Sequence, residues 1–136
     1  KPADPMVQGD LRRMEQHFAK SLVDLFAAIQ QHRPTLLVGS AGSFETFASM
    51  IRYRFPTSGR HYGKKSHPID VRHFQALNQV LVASNHEQRL RMRGLLKMRA
   101  DMIVPASVLL NFVLKKSKIK NMIMSSYSLK EGALLT

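Results

Sequence analysis

Residues 35–44 have the sequence Thr-Leu-Leu-Val-Gly-Ser-Ala-Gly-Ser-Phe, an apolar run that ends in small residues. An apolar run of this length bounded by turn formers predicts a buried strand. Helical spacing of apolar residues follows from Phe44 to about Tyr53. The segment therefore predicts a strand, a small-residue turn and a helix. Backbone N–H groups in such a turn can point at a phosphate, and a plain connector is the alternative that these residues leave open.

The flanking sequence predicts further helices and one more strand. Apolar residues at helical spacing from Asp10 to about His32 predict one amphipathic helix, which ends before Pro34. Its apolar stripe comprises Leu11, Met14, Phe18, Leu22, Leu25 and Ile29. Residues 121–125, Asn-Met-Ile-Met-Ser, predict a second short strand. Strands separated by helices are typical of a parallel sheet with helical crossovers, so we expect an α/β fold with two short parallel strands and about five helices.

The middle of the chain contributes a loop and three helices. Residues 54–68 combine prolines, glycines and basic side chains without periodicity, and predict a loop. A helix is predicted after a cap at Asp70, and Ser84-Asn-His-Glu87 has the form of a capping box that starts another. The most apolar helix is predicted over about 97–116, with a kink at Pro105. Two strands are too few to cover so many apolar helices, so we expect further strands from a partner chain or from more of the same protein.

The charge of the chain indicates an anionic partner. The chain has 136 residues, the size of one domain, with 21 Lys and Arg against 9 Asp and Glu, a formal net charge of +12. Such a field attracts phosphate-rich molecules without specifying which. The basic cluster after the capping box could hold phosphates, or it could be a solvated helix face. Its members considered as polyanion contacts are Arg89, Arg93 and Lys97.

Several classes of site are disfavoured by what the sequence lacks. There is no cysteine, which excludes disulfides, thiolate nucleophiles and cysteine zinc sites. The six histidines form no i, i+4 pair, and no His-Glu-x-x-His motif occurs. No apolar run reaches the length of a membrane span, and no signal peptide is recognised. We therefore expect a cytoplasmic protein without a membrane partner, without a metal site of its own and without catalytic residues of a known hydrolase motif.

Three segments in the same order resemble the C-terminal half of the Ppx/GppA phosphatases. This family comprises exopolyphosphatases and guanosine pentaphosphate phosphohydrolases of the actin/hexokinase/Hsp70 superfold, which is ribonuclease H-like. The segments are Val38-Gly-Ser-Ala-Gly-Ser-Phe-Glu-Thr-Phe-Ala48, then Gly94-Leu95 followed by Arg99-Ala-Asp-Met-Ile-Val-Pro-Ala106, and finally Ser125-Ser-Tyr-Ser-Leu-Lys-Glu-Gly132. The resemblance extends over nearly the whole chain.

The resemblance implies a phosphohydrolase with two similar domains around a cleft. Such an enzyme releases terminal phosphate from polyphosphate or from guanosine pentaphosphate, usually with Mg²⁺. The family's phosphate loops beginning Asp-Ile-Gly and its water-orienting glutamate are not in this sequence, and the resemblance places them upstream. Residues 1–136 are thus expected to be a single fragment, the later portion of the second domain. Alone it would be inactive, bind no Mg²⁺, need the N-terminal half of the same protein as a partner, and self-associate.

The resemblance also implies individual site residues. The turn formed by Gly39, Ser40, Gly42 and Ser43 corresponds to the segment where nucleotide-binding relatives hold adenosine. Arg99 matches a family arginine near the cleft and is the best candidate for a phosphate contact. Lys130 stands where the family often has arginine, and the loss of the bidentate guanidinium weakens its case as a phosphate contact.

A binding module without hydrolytic activity is the second hypothesis. A basic domain that binds nucleic acid or another polyanion would explain the net charge equally well. The sequence lacks the stacking aromatics of single-strand binders, since it has no tryptophan and only three tyrosines.

Overall fold

The chain is described by a computed structural model over residues 4–40, 42–56 and 66–125. Within these ranges its elements, in chain order, are α1 (Gln8–Ser21), α2 (Val23–His32), β1 (Leu36–Ser40), α3 (Gly42–Arg54), β2 (Ser66–Ile69), α4 (Val71–Ala83), α5 (His86–Leu90), a 3₁₀ turn (Lys97–Arg99), α6 (Ile103–Ser117) and β3 (Asn121–Ser125). The α/β class predicted from the sequence is confirmed. No helix in the described ranges is long and apolar enough to cross a membrane.

The sheet has three strands in the order β1-β3-β2. β1 and β3 are parallel, with Leu36 opposite Asn121 and Ser40 opposite Ser125, which confirms the predicted pair. β2 runs antiparallel on the other side of β3, within the segment predicted to be a loop. Its residue Pro68 lies opposite Ile123, and an edge strand tolerates proline because one row of its N–H groups needs no partner. The loop prediction is therefore wrong for the last residues of that segment.

Two helices replace the single helix predicted before Pro34. The helical backbone breaks at Leu22, with φ −110° and ψ 21°. The break changes which residues face the core, because Leu25 of the predicted stripe is 42% exposed. Phe26 packs instead on Phe112 of α6, with ring centroids 5.8 Å apart, as Phe18 does at 6.1 Å. The predicted stripe is thus wrong at Leu25, whereas Ile29 is half-buried.

The core lies where α3, α4 and α6 pack together and against the sheet. Its fully buried large side chains include Phe47, Phe74, Leu77 and Ile103. Helix α6 is buried over much of its length, as its apolar sequence predicts. The predicted kink is absent because α6 begins at Ile103, which puts Pro105 in the first turn, where its missing N–H has no intrahelical partner to lose.

Helix caps account for the boundaries around α4 and α5. The Asp70 carboxylate accepts the N–H of Arg72 at 2.8 Å, which confirms the predicted cap of α4. The capping box lies one residue later than predicted, between Asn85 and Gln88, whose two reciprocal hydrogen bonds are both 2.9 Å. Ser84 instead closes α4 by donating its hydroxyl to the carbonyl of Leu81 at 2.6 Å.

One edge of the sheet is left open in the described part of the chain. There β1 pairs only with β3, and Leu36 and Val38 are exposed. An exposed apolar strand edge of this kind pairs readily with another strand. The expectation of further strands beside β1 stays a prediction.

Candidate functional site

The junction between β1 and α3 is shorter than the predicted turn. Gly39 and Ser40 belong to β1 and pair with Met124 and Ser125 of β3. Gly39 is buried, and a Cβ there would overlap the ring of Phe44. The start of α3 can pack on the strand only because residue 39 is a glycine. Since Gly39 is buried within β1, its backbone is less accessible to a phosphate than that of an exposed turn.

Helix α3 begins at Gly42, directly after the carboxyl end of β1. Gly42 has φ +46°, a left-handed conformation that glycine adopts without strain. Ser43 is half-buried in the first turn, and Thr46 donates its hydroxyl to the carbonyl of Gly42 at 3.4 Å. The first N–H groups of a helix have no intrahelical partner, and together with the helix dipole they favour an anion.

Arg99 lies beside this helix start. Its Nη1 is 3.7 Å from the position that a Cβ would take on Gly42. The side chain is half-buried, and within the described ranges no hydrogen bond or ion pair satisfies its guanidinium. The structure therefore brings Arg99 and Gly42 together, as expected if both contact one phosphate, although they are 57 positions apart in the sequence. A free guanidinium can donate two parallel hydrogen bonds to phosphate oxygens.

The backbone between α5 and the 3₁₀ turn positions Arg99. At Gly94, which has φ +87°, a Cβ would lie 2.9 Å from the backbone nitrogen of Met50 in α3. The chain can thus pass directly against α3 only because this residue has no side chain. Ala100, directly after the 3₁₀ turn, is fully buried. The turn that carries Arg99 is therefore held in place by close packing at Gly94 before it and at Ala100 after it.

Arg89 is a structural residue. It was predicted to be an exposed polyanion contact, but it is only 5% exposed. Its guanidinium donates to the carbonyls of Ala100 and Ser84, both at 2.6 Å, and to Asp4 Oδ1 at 3.1 Å. These bonds tie α5, the segment before α6 and the N-terminal segment together, so the interpretation of Arg89 as a surface contact is wrong.

The other predicted polyanion contacts have different surroundings. Arg93 and Lys97 are exposed, and the guanidinium of Arg93 lies 5.6 Å from the ring centroid of Tyr53. Because α5 ends at Leu90, Arg93 does not share a helix face with residue 89. The binding roles of Arg93 and Lys97 stay predictions, and Lys130 lies outside the described residues.

Two carboxylates surround the amino end of α5. Asp101 lies 2.7 Å from His86 Nδ1 and 3.6 Å from Arg89, and the hydrogen bond from His86 followed by that from Arg89 lowers the pKa of Asp101. The backbone N–H of His86 donates to Asp4 at 2.8 Å, and this bond, with Arg89, lowers the pKa of Asp4. A lowered carboxyl pKa stabilises the fold above the ordinary carboxyl range, and that contribution is lost as pH falls through the lowered value.

The pair of His86 and Asp101 was not predicted from the sequence. His86 was interpreted as part of the capping box, and Asp101 falls within residues 97–116, which were predicted to form one apolar helix. Asp101 is instead 72% exposed and lies before α6, which begins at Ile103. The free guanidinium of Arg99 is thus not neutralised by its neighbour in sequence. Among the described residues no group of three or more acidic or histidine side chains is placed to hold a metal ion.

Residues 2–136 match the Ppx/GppA phosphatase family. The chain belongs to this family. The crystal structure of an exopolyphosphatase from Cytophaga hutchinsonii is 37% identical and superposes with a TM-score of 0.91, over 99% of this chain and 43% of that one. A Ppx/GppA family member from Aquifex aeolicus is 19% identical with a TM-score of 0.78, over 98% of this chain and 42% of that one, which shows the shared fold. A search of curated proteins gave no match.

The Ppx/GppA resemblance stated from the sequence is therefore confirmed. The chain spans less than half the length of both of these solved structures. Its segments from Val38 to Ala48 and from Gly94 to Ala106, which carry the resemblance, are also the segments that form the junction around Gly42 and Arg99.

Proposed function

We propose that this Ppx/GppA chain is part of an exopolyphosphatase-type phosphohydrolase and that its junction of β1, α3 and Arg99 binds phosphate groups of the substrate. The observation that carries the proposal is the guanidinium of Arg99, which has no partner among the described residues and lies 3.7 Å from the Cβ position at Gly42, where α3 begins. The 37% identity to an exopolyphosphatase supports inorganic polyphosphate as the substrate. Guanosine pentaphosphate is the alternative substrate of the same family.

The reaction is hydrolysis of a phosphoanhydride by in-line attack of water. In such reactions the protein mainly positions the reacting groups and neutralises charge. In our proposal the start of α3 and Arg99 hold and neutralise phosphate oxygens. The phosphate loops, the water-orienting glutamate and any Mg²⁺ belong to residues outside this chain, whose partner is the N-terminal half of the same protein. Without that half, we expect the open edge of β1 to pair with a second copy.

The first test measures binding of tripolyphosphate to the 136-residue chain by calorimetry. We expect Arg99→Ala to weaken binding about tenfold, since a charge-assisted bidentate contact is worth roughly 1.4 kcal/mol or more. Arg91→Ala is the matched control, because Arg91 is exposed and its loss changes the net charge equally. Its affinity should stay within twofold of the parent chain. Equal affinities for the Arg99 and Arg91 variants would refute the assignment of Arg99.

The same proteins distinguish hydrolysis from binding. Incubated with polyphosphate and Mg²⁺, the isolated chain should release no phosphate, and turnover would show that the hydrolytic groups are in this chain after all.

The nucleic-acid alternative makes the opposite binding prediction. It requires sequence-specific binding of a DNA duplex that tripolyphosphate displaces poorly, whereas our proposal expects only salt-sensitive, sequence-independent binding.

A further inference from the structure

A groove lies at the opposite end of the sheet from the β1–α3 junction. Its volume is about 1000 Å³, and it is lined where β2 ends, β3 begins, α4 starts and α6 ends. The register places Asn121, at the groove, opposite Leu36, while Ser125 lies opposite Ser40 at the junction. Five-residue strands at about 3.3 Å per residue put roughly 15 Å between the two ends of the sheet. The groove is therefore separate from the candidate site around Arg99.

Basic side chains outnumber acidic ones in the lining of this groove. They come from the start of α4, the end of α6 and the connection to β3: Arg72, His73, Lys115, Lys118 and Lys120. The single acidic lining residue is Asp70, and it is engaged by Arg72, whose N–H and guanidinium both donate to it. The three lysines make no ion pair within the described part of the chain. Their charges are thus not compensated by carboxylates in the groove.

His73 adds a second observation in the same wall. Its ring stacks on Phe55 with centroids 4.0 Å apart and planes 4° from parallel. Its Nδ1 is buried and has no hydrogen-bond partner among the residues that the structure describes. Buried polar atoms in proteins are almost always hydrogen-bonded, to protein, to water or to a ligand. An imidazole N–H can donate to an anion, and His73 lines the same groove as the three lysines.

We propose that this groove is a second anion site that binds phosphoryl groups of a condensed phosphate chain. Lysine ammonium groups act as point charges that suit a phosphate chain in many geometries. His73 is the one aromatic residue of the lining, and Phe55 covers one face of its ring, so at most one ring face is left for a nucleobase to stack on. A phosphate chain is therefore favoured over nucleic acid. The site itself does not involve Arg99, and only the choice of a phosphate chain as the source of the phosphoryl groups rests on the proposed function.

The test is a titration of the ¹⁵N-labelled 136-residue chain, followed through backbone amide shifts. With tripolyphosphate we expect saturable shifts of the amides of Arg72, His73, Lys118 and Lys120. The double variant Lys115→Gln, Lys120→Gln should weaken this binding at least tenfold. Its control is Arg12→Gln, Lys20→Gln on α1, which removes the same charge from exposed positions outside the groove and should stay within twofold of the parent chain.

Each further outcome decides the proposal. Equal losses in the two double variants would mean a diffuse electrostatic effect and overturn it, as would the absence of saturable shifts at the groove. Orthophosphate that binds as tightly as tripolyphosphate, or an oligonucleotide that binds more tightly, would overturn the assignment to a condensed phosphate chain. Arg99→Ala should leave the groove shifts unchanged while it weakens those near Gly42, so failure of one site is distinguishable from failure of the other.

Discussion

Replacement of Arg89 by alanine is expected to lower the free energy of unfolding of the chain by about 3 kcal/mol, since it leaves buried acceptors without a donor. The guanidinium is buried and donates to the carbonyls of Ala100 and Ser84 at 2.6 Å each. It also bonds to Asp4, so its loss uncouples the N-terminal segment from α5. The measurement is urea denaturation followed by circular dichroism.

Two companion variants separate this explanation from a general charge effect. Arg91→Ala removes an equal charge from an exposed position two residues away, and its stability should change by no more than about 0.5 kcal/mol. Arg89→Lys keeps the charge but loses the planar fork that reaches several acceptors, so most of the loss should remain. A stability of Arg89→Ala within 0.5 kcal/mol of the parent chain would contradict the structural role of this residue.

The strands show which parts of the fold are predictable from local sequence. β1 and β3 are short apolar runs between turn formers, and both were predicted at nearly their observed positions. β2 has only four residues and includes Pro68, so nothing local identifies it. It forms because β3, which lies more than 50 residues later, offers an edge. Pairing between distant segments is a tertiary effect that neither propensity nor periodicity contains.

The helix errors have a different physical cause. The spacing of apolar residues continues through Leu22 as if one helix ran on, but the backbone breaks there and turns Phe26 to the core instead of Leu25. Periodicity indicates that a helix exists and does not fix its phase across a break without proline or glycine. The start of α6 was placed too early for a similar reason, because Pro105 tolerates both a kink and a first turn.

The sequence identified most residues of the candidate site but only part of their arrangement in space. The small residues after β1 were identifiable from the sequence, and the family resemblance, rather than spacing, pointed to Arg99. The sequence did not show which residues of the basic cluster are buried and which are exposed. Arg89 is buried, whereas Arg93 and Lys97 are exposed. Arg89 lies in the last turn of α5, whereas Arg93 and Lys97 follow the end of that helix at Leu90. Asn85 with Gln88 was an available signal for that short helix.

Replacement of Gly94 by alanine is expected to destabilise the chain by about 3 kcal/mol, the sum of a left-handed backbone penalty and overpacking. The added Cβ would lie 2.9 Å from the backbone nitrogen of Met50 and from the hydroxyl of Ser49. Neither can move far, because Met50 is buried in the core. The strain should push the segment after α5 away from α3 and carry Arg99 with it, so binding of tripolyphosphate should weaken together with stability.

Gly9→Ala is the control for this prediction, since it makes the same chemical change with the opposite expected sign. Gly9 lies in α1, and a Cβ there would meet only the end of the Arg13 side chain at 3.6 Å, an ordinary contact. Alanine in a helix is favoured over glycine by up to about 1 kcal/mol, so this variant should be slightly more stable than the parent chain and bind tripolyphosphate equally well. If Gly94→Ala unfolded at the same urea concentration as Gly9→Ala, close packing at Gly94 could not be what holds Arg99 beside α3.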